Sequence, residues 1–163
     1  MSVLDYGFWE ITVEKQGRLK LPAGLLKMLP EDERGSFWIT RGFGPYIMVW
    51  TSHAYREQME YLNSLDRNII EIKRYRNAFL SNTVFVECDS QDRFVIPKPL
   101  LLKYRIEKEV VLLLDNGKIE IWNSDDYHQQ FDMESDDFEK LNQDIHLGKY
   151  HHHEERRSDE RIP

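Results

Sequence analysis

An internal repeat constrains this chain more than any other feature. The segments Val13-Glu-Lys-Gln-Gly-Arg-Leu-Lys-Leu-Pro22 and Cys88-Asp-Ser-Gln-Asp-Arg-Phe-Val-Ile-Pro97 share one frame: an acid, three residues, an arginine, then apolar, any, apolar, proline. Further on, Tyr46-Ile-Met-Val-Trp-Thr-Ser-His-Ala-Tyr55 matches Lys118-Ile-Glu-Ile-Trp-Asn-Ser-Asp-Asp-Tyr127, with a slightly shorter connection in the second copy. Each copy has about fifty residues, which is small for an independent core, so the two copies are expected to complete one another.

Within each copy the pattern is one of short strands broken by turns. Apolar runs at 8–13, 19–21, 37–40 and 47–50 are repeated at 83–88, 94–96, 110–114 and 119–122. Gly17, the Gly42/Gly44/Pro45 cluster and Asn116-Gly117 supply turns, and the last is a hairpin signal because both residues tolerate positive φ. Pro22 and Pro97, followed by Leu25/Leu26 and Leu100/Leu101, predict a single helical turn after the second strand of each copy. Ser52 and Ser124 are placed to cap a helix carrying Tyr55, Met59 and Leu62 in the first copy, and Tyr127 and Phe131 in the second. Between the copies, residues 66–80 set Ile69, Ile72, Ala78 and Phe79 near one face and Lys73, Arg74 and Arg76 elsewhere, as an amphipathic connecting helix does. Its basic face reads either as a solvated surface or as a contact with DNA or a neighbouring subunit. From about Asp132 onward acidic density rises, and 151–163 has almost no apolar residue to anchor it, so a frayed or disordered end is expected.

The 163 residues are 40% hydrophobic and 31% charged, an ordinary globular balance. No apolar run is long enough to cross a membrane and no secretory leader opens the chain, so a cytoplasmic protein is expected. The net charge of −7 is unevenly placed: residues 1–83 carry 11 basic and 10 acidic side chains, 84–122 carry 6 and 7, and 123–163 carry 5 and 12. The acidity therefore sits in the tail, and a near-neutral body leaves phosphate binding open to a few clustered cations.

A tandem pair of acid-x-x-x-Arg turns, each running into an apolar-x-apolar-Pro exit, resembles the MraZ family, regulators built from two SpoVT-AbrB modules. Thr40-Arg41-Gly42, Lys73-Arg74-Tyr75-Arg76-Asn77-Ala78-Phe79-Leu80 and Ile119-Glu120-Ile121-Trp122 add to the likeness, which spans roughly residues 8–127. The resemblance implies a mainly β fold with short helices (α+β class): two swapped-hairpin modules forming an intramolecular pseudo-dimeric β-barrel, with connecting and C-terminal helices. The corresponding division is 8–54 and 83–126 for the modules, 55–82 for the connection, and 127–163 for an acidic helix and tail. It further implies a nucleoid-associated, ring-like homo-oligomer that recognises direct repeats near the cell-division and cell-wall gene cluster. Carried over residue by residue, the DNA-contacting arginines are Arg18 and Arg93, and the motif acids are Glu14 and Asp89. The chain departs from the pattern at Glu14, where aspartate is expected, and at Asp92, where glycine is expected. The first substitution is expected to loosen its turn, and the second puts a carboxylate beside Arg93.

An arginine at the end of a tight β-turn suits base reading, because a two-stranded ribbon enters the major groove and guanidinium pairs bidentately with guanine. The same residues also read as ion pairs of Arg18 and Arg93 with Glu14 and Asp89 across each turn. Lys15, Lys20 and Arg41 are candidate phosphate contacts, or simple solubilising charges. Trp9, Trp38, Trp50 and Trp122 lie inside apolar strands and are expected to pack in the core rather than stack on single-stranded nucleic acid. Cys88 is expected to be a buried strand residue. The sequence has no Gly-rich phosphate loop, nucleophile elbow or metal-spaced His/Cys set, so neither enzyme activity, cofactor, metal nor small-molecule substrate is expected. His151-His152-His153 lack a second ligand cluster at closed-site spacing. An AbrB-fold assembly module with weak or lost DNA binding is the competing reading, motivated by Asp92 and the acidic tail.

Overall fold

The computed structural model describes residues 5–150. Residues through Tyr127 form one compact unit, and those from His128 form a second. The first copy supplies strands β1 (Tyr6–Thr12), β2 (Arg18–Lys20), β3 (Ser36–Arg41) and β4 (Ile47–Trp50), with the short helix α1 (Ala23–Lys27) after Pro22. Two helices follow, α2 (Ser52–Ser64) and α3 (Ile70–Leu80). The second copy supplies β5 (Val84–Glu87), β6 (Arg93–Val95), α4 (Lys98–Lys103), β7 (Glu109–Asp115) and β8 (Lys118–Asn123), then α5 (Ser124–Phe131) and α6 (Ser135–His146).

Six strands form one antiparallel sheet in the order β1-β7-β8-β4-β3-β5, and β2 pairs with β6 in a separate ribbon. Replacing each strand by its counterpart in the other copy reverses this order, so the chain carries an internal pseudo-two-fold. Each copy's opening strand pairs with the other copy's third strand, β1 with β7 and β5 with β3, which is the swap that the family resemblance implied. The α+β class holds, and helical residues outnumber strand residues. Among the described residues the barrel does not close. The sheet ends on β1 and β5, and the three-residue strands β2 and β6 pair only with each other among the described residues.

The core lies where the ribbon, α1 and α4 cover one face of this sheet. Leu19 and Phe94 from the ribbon, Leu25 and Leu100 from the short helices, and Ile39, Ile47, Val49, Leu112, Ile119 and Ile121 from the sheet are all buried there. Each such side chain contributes roughly 1.5–3 kcal/mol by leaving water. A smaller cluster on the opposite face joins Met48, Trp50, Ala54, Leu62 and Phe79. Strand β4 is therefore buried on both sides, which explains its unbroken apolar run. The tryptophans pack as expected: Trp50 and Trp122 are buried, and Trp38 stacks on Tyr55 at 4.3 Å between ring centroids.

Two local expectations need correction. The caps are Thr51, whose Oγ1 accepts the Ala54 amide at 3.3 Å, and Asn123, whose Oδ1 accepts the Asp126 amide at 3.1 Å, not the serines that follow them. The connecting helix begins at Ile70 rather than at residue 66, because the Asp66 carboxylate accepts the Asn68 amide at 2.9 Å and holds the chain in a turn. Beyond Asp132 the chain forms the expected acidic helix as α6, with Asp136 and Asp137 in its first turn. Gly148 (φ 78°) ends it, and the Lys149 amide returns to the Asp144 carbonyl at 3.0 Å. The expected frayed end, 151–163, and with it His151, His152 and His153, lies outside the described residues.

Candidate nucleic-acid interface

The two motif turns close with the same backbone bond, although the first has a second left-handed residue, Gln16 (φ 63°), that the second lacks. The Glu14 amide donates to the Arg18 carbonyl at 2.8 Å, and the Asp89 amide donates to the Arg93 carbonyl at 2.9 Å. Each turn needs a left-handed residue just before its arginine, and Gly17 (φ 74°) and Asp92 (φ 59°) supply it. Their side chains differ. Asp89 Oδ1 accepts the amides of Gln91 (2.9 Å) and Arg93 (3.1 Å), so this carboxylate closes its own turn. Burial opposes its ionisation, but those two amides and the Arg93 guanidinium together hold its carboxyl below the usual carboxylate range. Glu14, longer by one methylene, makes no capping bond to its turn. The side-chain support expected of a motif acid is missing from the first turn.

The strands leaving the turns pair antiparallel, with Arg18 opposite Val95, Leu19 opposite Phe94 and Lys20 opposite Arg93. Because Leu19 and Phe94 point into the core, alternation turns Arg18, Lys20, Arg93 and Val95 outward on one face. Lys15 stands exposed in the first turn beside them.

The two arginines are not equivalent on this face. Arg93 Nε donates to Asp89 Oδ2 at 2.9 Å, and its Nη1 lies 3.5 Å from Glu14 Oε2 of the other copy. Its side chain is 23% exposed. Arg18 is exposed and forms no ion pair among the described residues. The expected ion pairing therefore occurs once. Asp89 keeps its own arginine, while Glu14 crosses the ribbon to Arg93 and leaves Arg18 free.

Arg41 is not brought to this face. It ends β3 opposite Ile47, whereas the other end of β3, at Ser36, pairs with Glu87 just before the second turn. At about 3.4 Å per residue, Arg41 stands roughly 17 Å along the strand from that end. There it lines an open cleft of about 580 Å³ with Phe43, Tyr75 and Phe79. Cys88 is half-buried beside the second turn, and burial, then Asp92 and Asp89, push its thiol up to about 11. It is protonated at neutral pH, a poor state for a nucleophile. Among the described residues, no group of three His, Cys, Asp or Glu side chains converges on a metal position.

Sequence reading missed Val95 on the outward face and the Glu14–Arg93 contact. Alternation in Phe94-Val95-Ile96 signals the first, but the second joins residues 79 apart and depends on β2 pairing with β6.

Comparison with known proteins bears on this geometry. The family model described as "MraZ protein, putative antitoxin-like" matches residues 7–73 and 79–147. This chain belongs to the MraZ family. The two matched MraZ segments each contribute one turn and one strand to the ribbon. Among curated relatives, the protein named Transcriptional regulator MraZ from Christiangramia forsetii is 31% identical over 140 residues, covering 85% of this chain and 90% of its own. That of Cytophaga hutchinsonii is 28% identical, covering 83% and 89%, and that of Mycoplasmopsis pulmonis is 32% identical, covering 75% and 80%.

Proposed function

We propose that this protein is a sequence-specific double-stranded-DNA-binding transcriptional regulator, not an enzyme, acting as a homo-oligomer on direct repeats upstream of its own cell-division and cell-wall gene cluster. The observation that carries the reading is the outward face of the β2–β6 ribbon, on which Arg18 and Lys20 stand exposed without a carboxylate partner. A ribbon of this width fits the major groove, where Arg18 reads guanine and Lys15 and Lys20 hold phosphates. The names of the MraZ relatives support the assignment. In this proposal, modules 8–54 and 83–126 join through residues 55–82 to make one ribbon, and 127–163 is an acidic appendage. Because one ribbon offers few cations, affinity comes from several copies engaging repeats together, at an effective concentration set by the assembly. No helix among the described residues is long and apolar enough to cross a membrane, which is consistent with work at the nucleoid.

The test is fluorescence anisotropy with duplex DNA from upstream of the protein's own gene, across a salt series. Arg18→Ala is expected to lose tenfold or more, roughly the value of one bidentate base contact, and Arg93→Ala to lose less because its guanidinium is already engaged. Phosphate contacts make the affinity fall steeply with salt. Salt-insensitive binding, or none above that for random duplex, would favour an assembly module instead. The exposed Ile69 and Ile70 at the start of α3 and Phe138 and Ile145 on α6 favour that second reading.

A further inference from the structure

The outward face of the ribbon has four positions, and the pseudo-two-fold matches Arg18 with Arg93 and Lys20 with Val95. The second match sets a cation against a branched aliphatic side chain. Val95 is 50% exposed, although Phe94 and Ile96 on either side of it are buried. A lone exposed valine is ordinary on most surfaces. This one stands on the face proposed to meet DNA, directly opposite the free arginine.

The ladder fixes how close the two are. The Ile96 amide donates to the Gly17 carbonyl and the Leu21 amide to the Asp92 carbonyl, both at 2.9 Å. Those flanking pairs are of the hydrogen-bonded kind, so by alternation Arg18 and Val95 form a non-hydrogen-bonded pair, in which side chains stand closest. Their Cβ atoms are then about 4.5–5.5 Å apart. Successive bases on one strand rise about 3.4 Å, so an Arg18 guanidinium on a guanine edge brings the Val95 methyls to the neighbouring base step. In the major groove the apolar group on a base edge is the thymine C5 methyl, while cytosine presents an amino donor that valine cannot accept. At the other end of the face, Arg93 is engaged by Asp89 and Glu14. The Arg18–Val95 half is thus the half open to bases.

We infer that Val95 is a specificity-determining residue of the ribbon, covering the C5 methyl of a thymine one step from the guanine read by Arg18. The inference rests on the ribbon being the DNA-reading face. The experiment begins by selecting preferred sites from a randomised duplex library with the full-length protein. Each thymine of the selected site is then replaced singly by uracil, which keeps the pairing and loses the methyl. Wild type is expected to weaken about fourfold at one thymine of each bound repeat, the effect of one apolar methyl contact. Val95→Ala is expected to weaken by a similar factor on the thymine duplex and to be indifferent to uracil at that position. Its side chain lies outside the core, so an unchanged melting temperature accompanies the loss. If wild type is indifferent to every thymine-to-uracil change, or Val95→Ala remains as sensitive as wild type, the inference is overturned. Failure to select any preferred sequence overturns the ribbon reading itself, and the inference with it.

Discussion

Gly17 and Asp92 hold equivalent places in the two turns and share a left-handed backbone, yet only one of them is glycine. A Cβ on Gly17 would lie 2.6 Å from Leu101 Cδ1 and 3.1 Å from the Ile96 carbonyl oxygen, so a side chain there meets both strain and crowding. Gly17→Ala is expected to cost about 1–2 kcal/mol. Asp tolerates this region better than most residues but not without strain, so Asp92→Gly is expected to stabilise by up to about 1 kcal/mol. Urea unfolding midpoints of the two variants check both signs, and a destabilised Asp92→Gly would show that its side chain supports the turn. That both turns need such a residue was legible in the sequence, because the repeat aligns Asp92 with a glycine. The partition of the motif acids was not, since where the Glu14 carboxylate goes depends on a strand contributed by the other copy.

Strands were the most legible elements. Apolar runs between turn residues placed all eight, and Asn116-Gly117 turns between β7 and β8 with both φ values positive, at 48° and 78°. Helix ends were less legible because Thr51-Ser52 and Asn123-Ser124 each offer two adjacent capping residues. The choice falls on the residue at the strand's end, whose backbone is still extended when the helix begins; Thr51 has φ −64° and ψ 158°. The acidic C-terminal helix was legible as a segment but not in its bounds, because acidic residues crowd both the helix and its flanks. Yet Phe138, Leu141 and Ile145 recur at helical spacing, with carboxylates ahead of them and Gly148 behind. The cap assignment has a stability consequence. Thr51 is almost fully buried and its hydroxyl accepts the Ala54 amide, so Thr51→Val keeps the shape and loses the bond. It is expected to cost about 1–2 kcal/mol, against under about 0.5 kcal/mol for Ser52→Ala. Thermal unfolding followed by circular dichroism compares them directly, and equal losses would mean that the two hydroxyls share the cap.

At the scale of the whole molecule, the repeat showed that the two copies complete one another but not that the sheet has open edges. Nothing in the order of strands along the chain says whether β1 and β5 meet, and in the fold they lie at opposite ends of the sheet. Charge was legible as a count and misleading as a sum. Residues 1–122 carry 17 basic and 17 acidic side chains, while 123–163 carry 5 and 12, so the net −7 belongs to the C-terminal segment. A like-charged appendage repels the phosphate backbone over a distance set by the ionic atmosphere, about 30 Å at 0.01 M salt and about 8 Å at 0.15 M. Contacts made by the ribbon have a different salt dependence, since each neutralised phosphate steepens the fall of log affinity against log salt by about 0.9. Removing residues 132–163, which carry 10 acidic and 5 basic side chains, leaves the whole ribbon in place. The shortened protein is expected to bind duplex DNA more tightly than the full chain at low salt, and the two titration curves are expected to converge as salt rises. Curves that stay parallel, with the shortened protein weaker at every salt concentration, would mean that this segment helps assemble the DNA-binding oligomer rather than opposing DNA. Curves that coincide throughout would mean that its charge does not reach the interface.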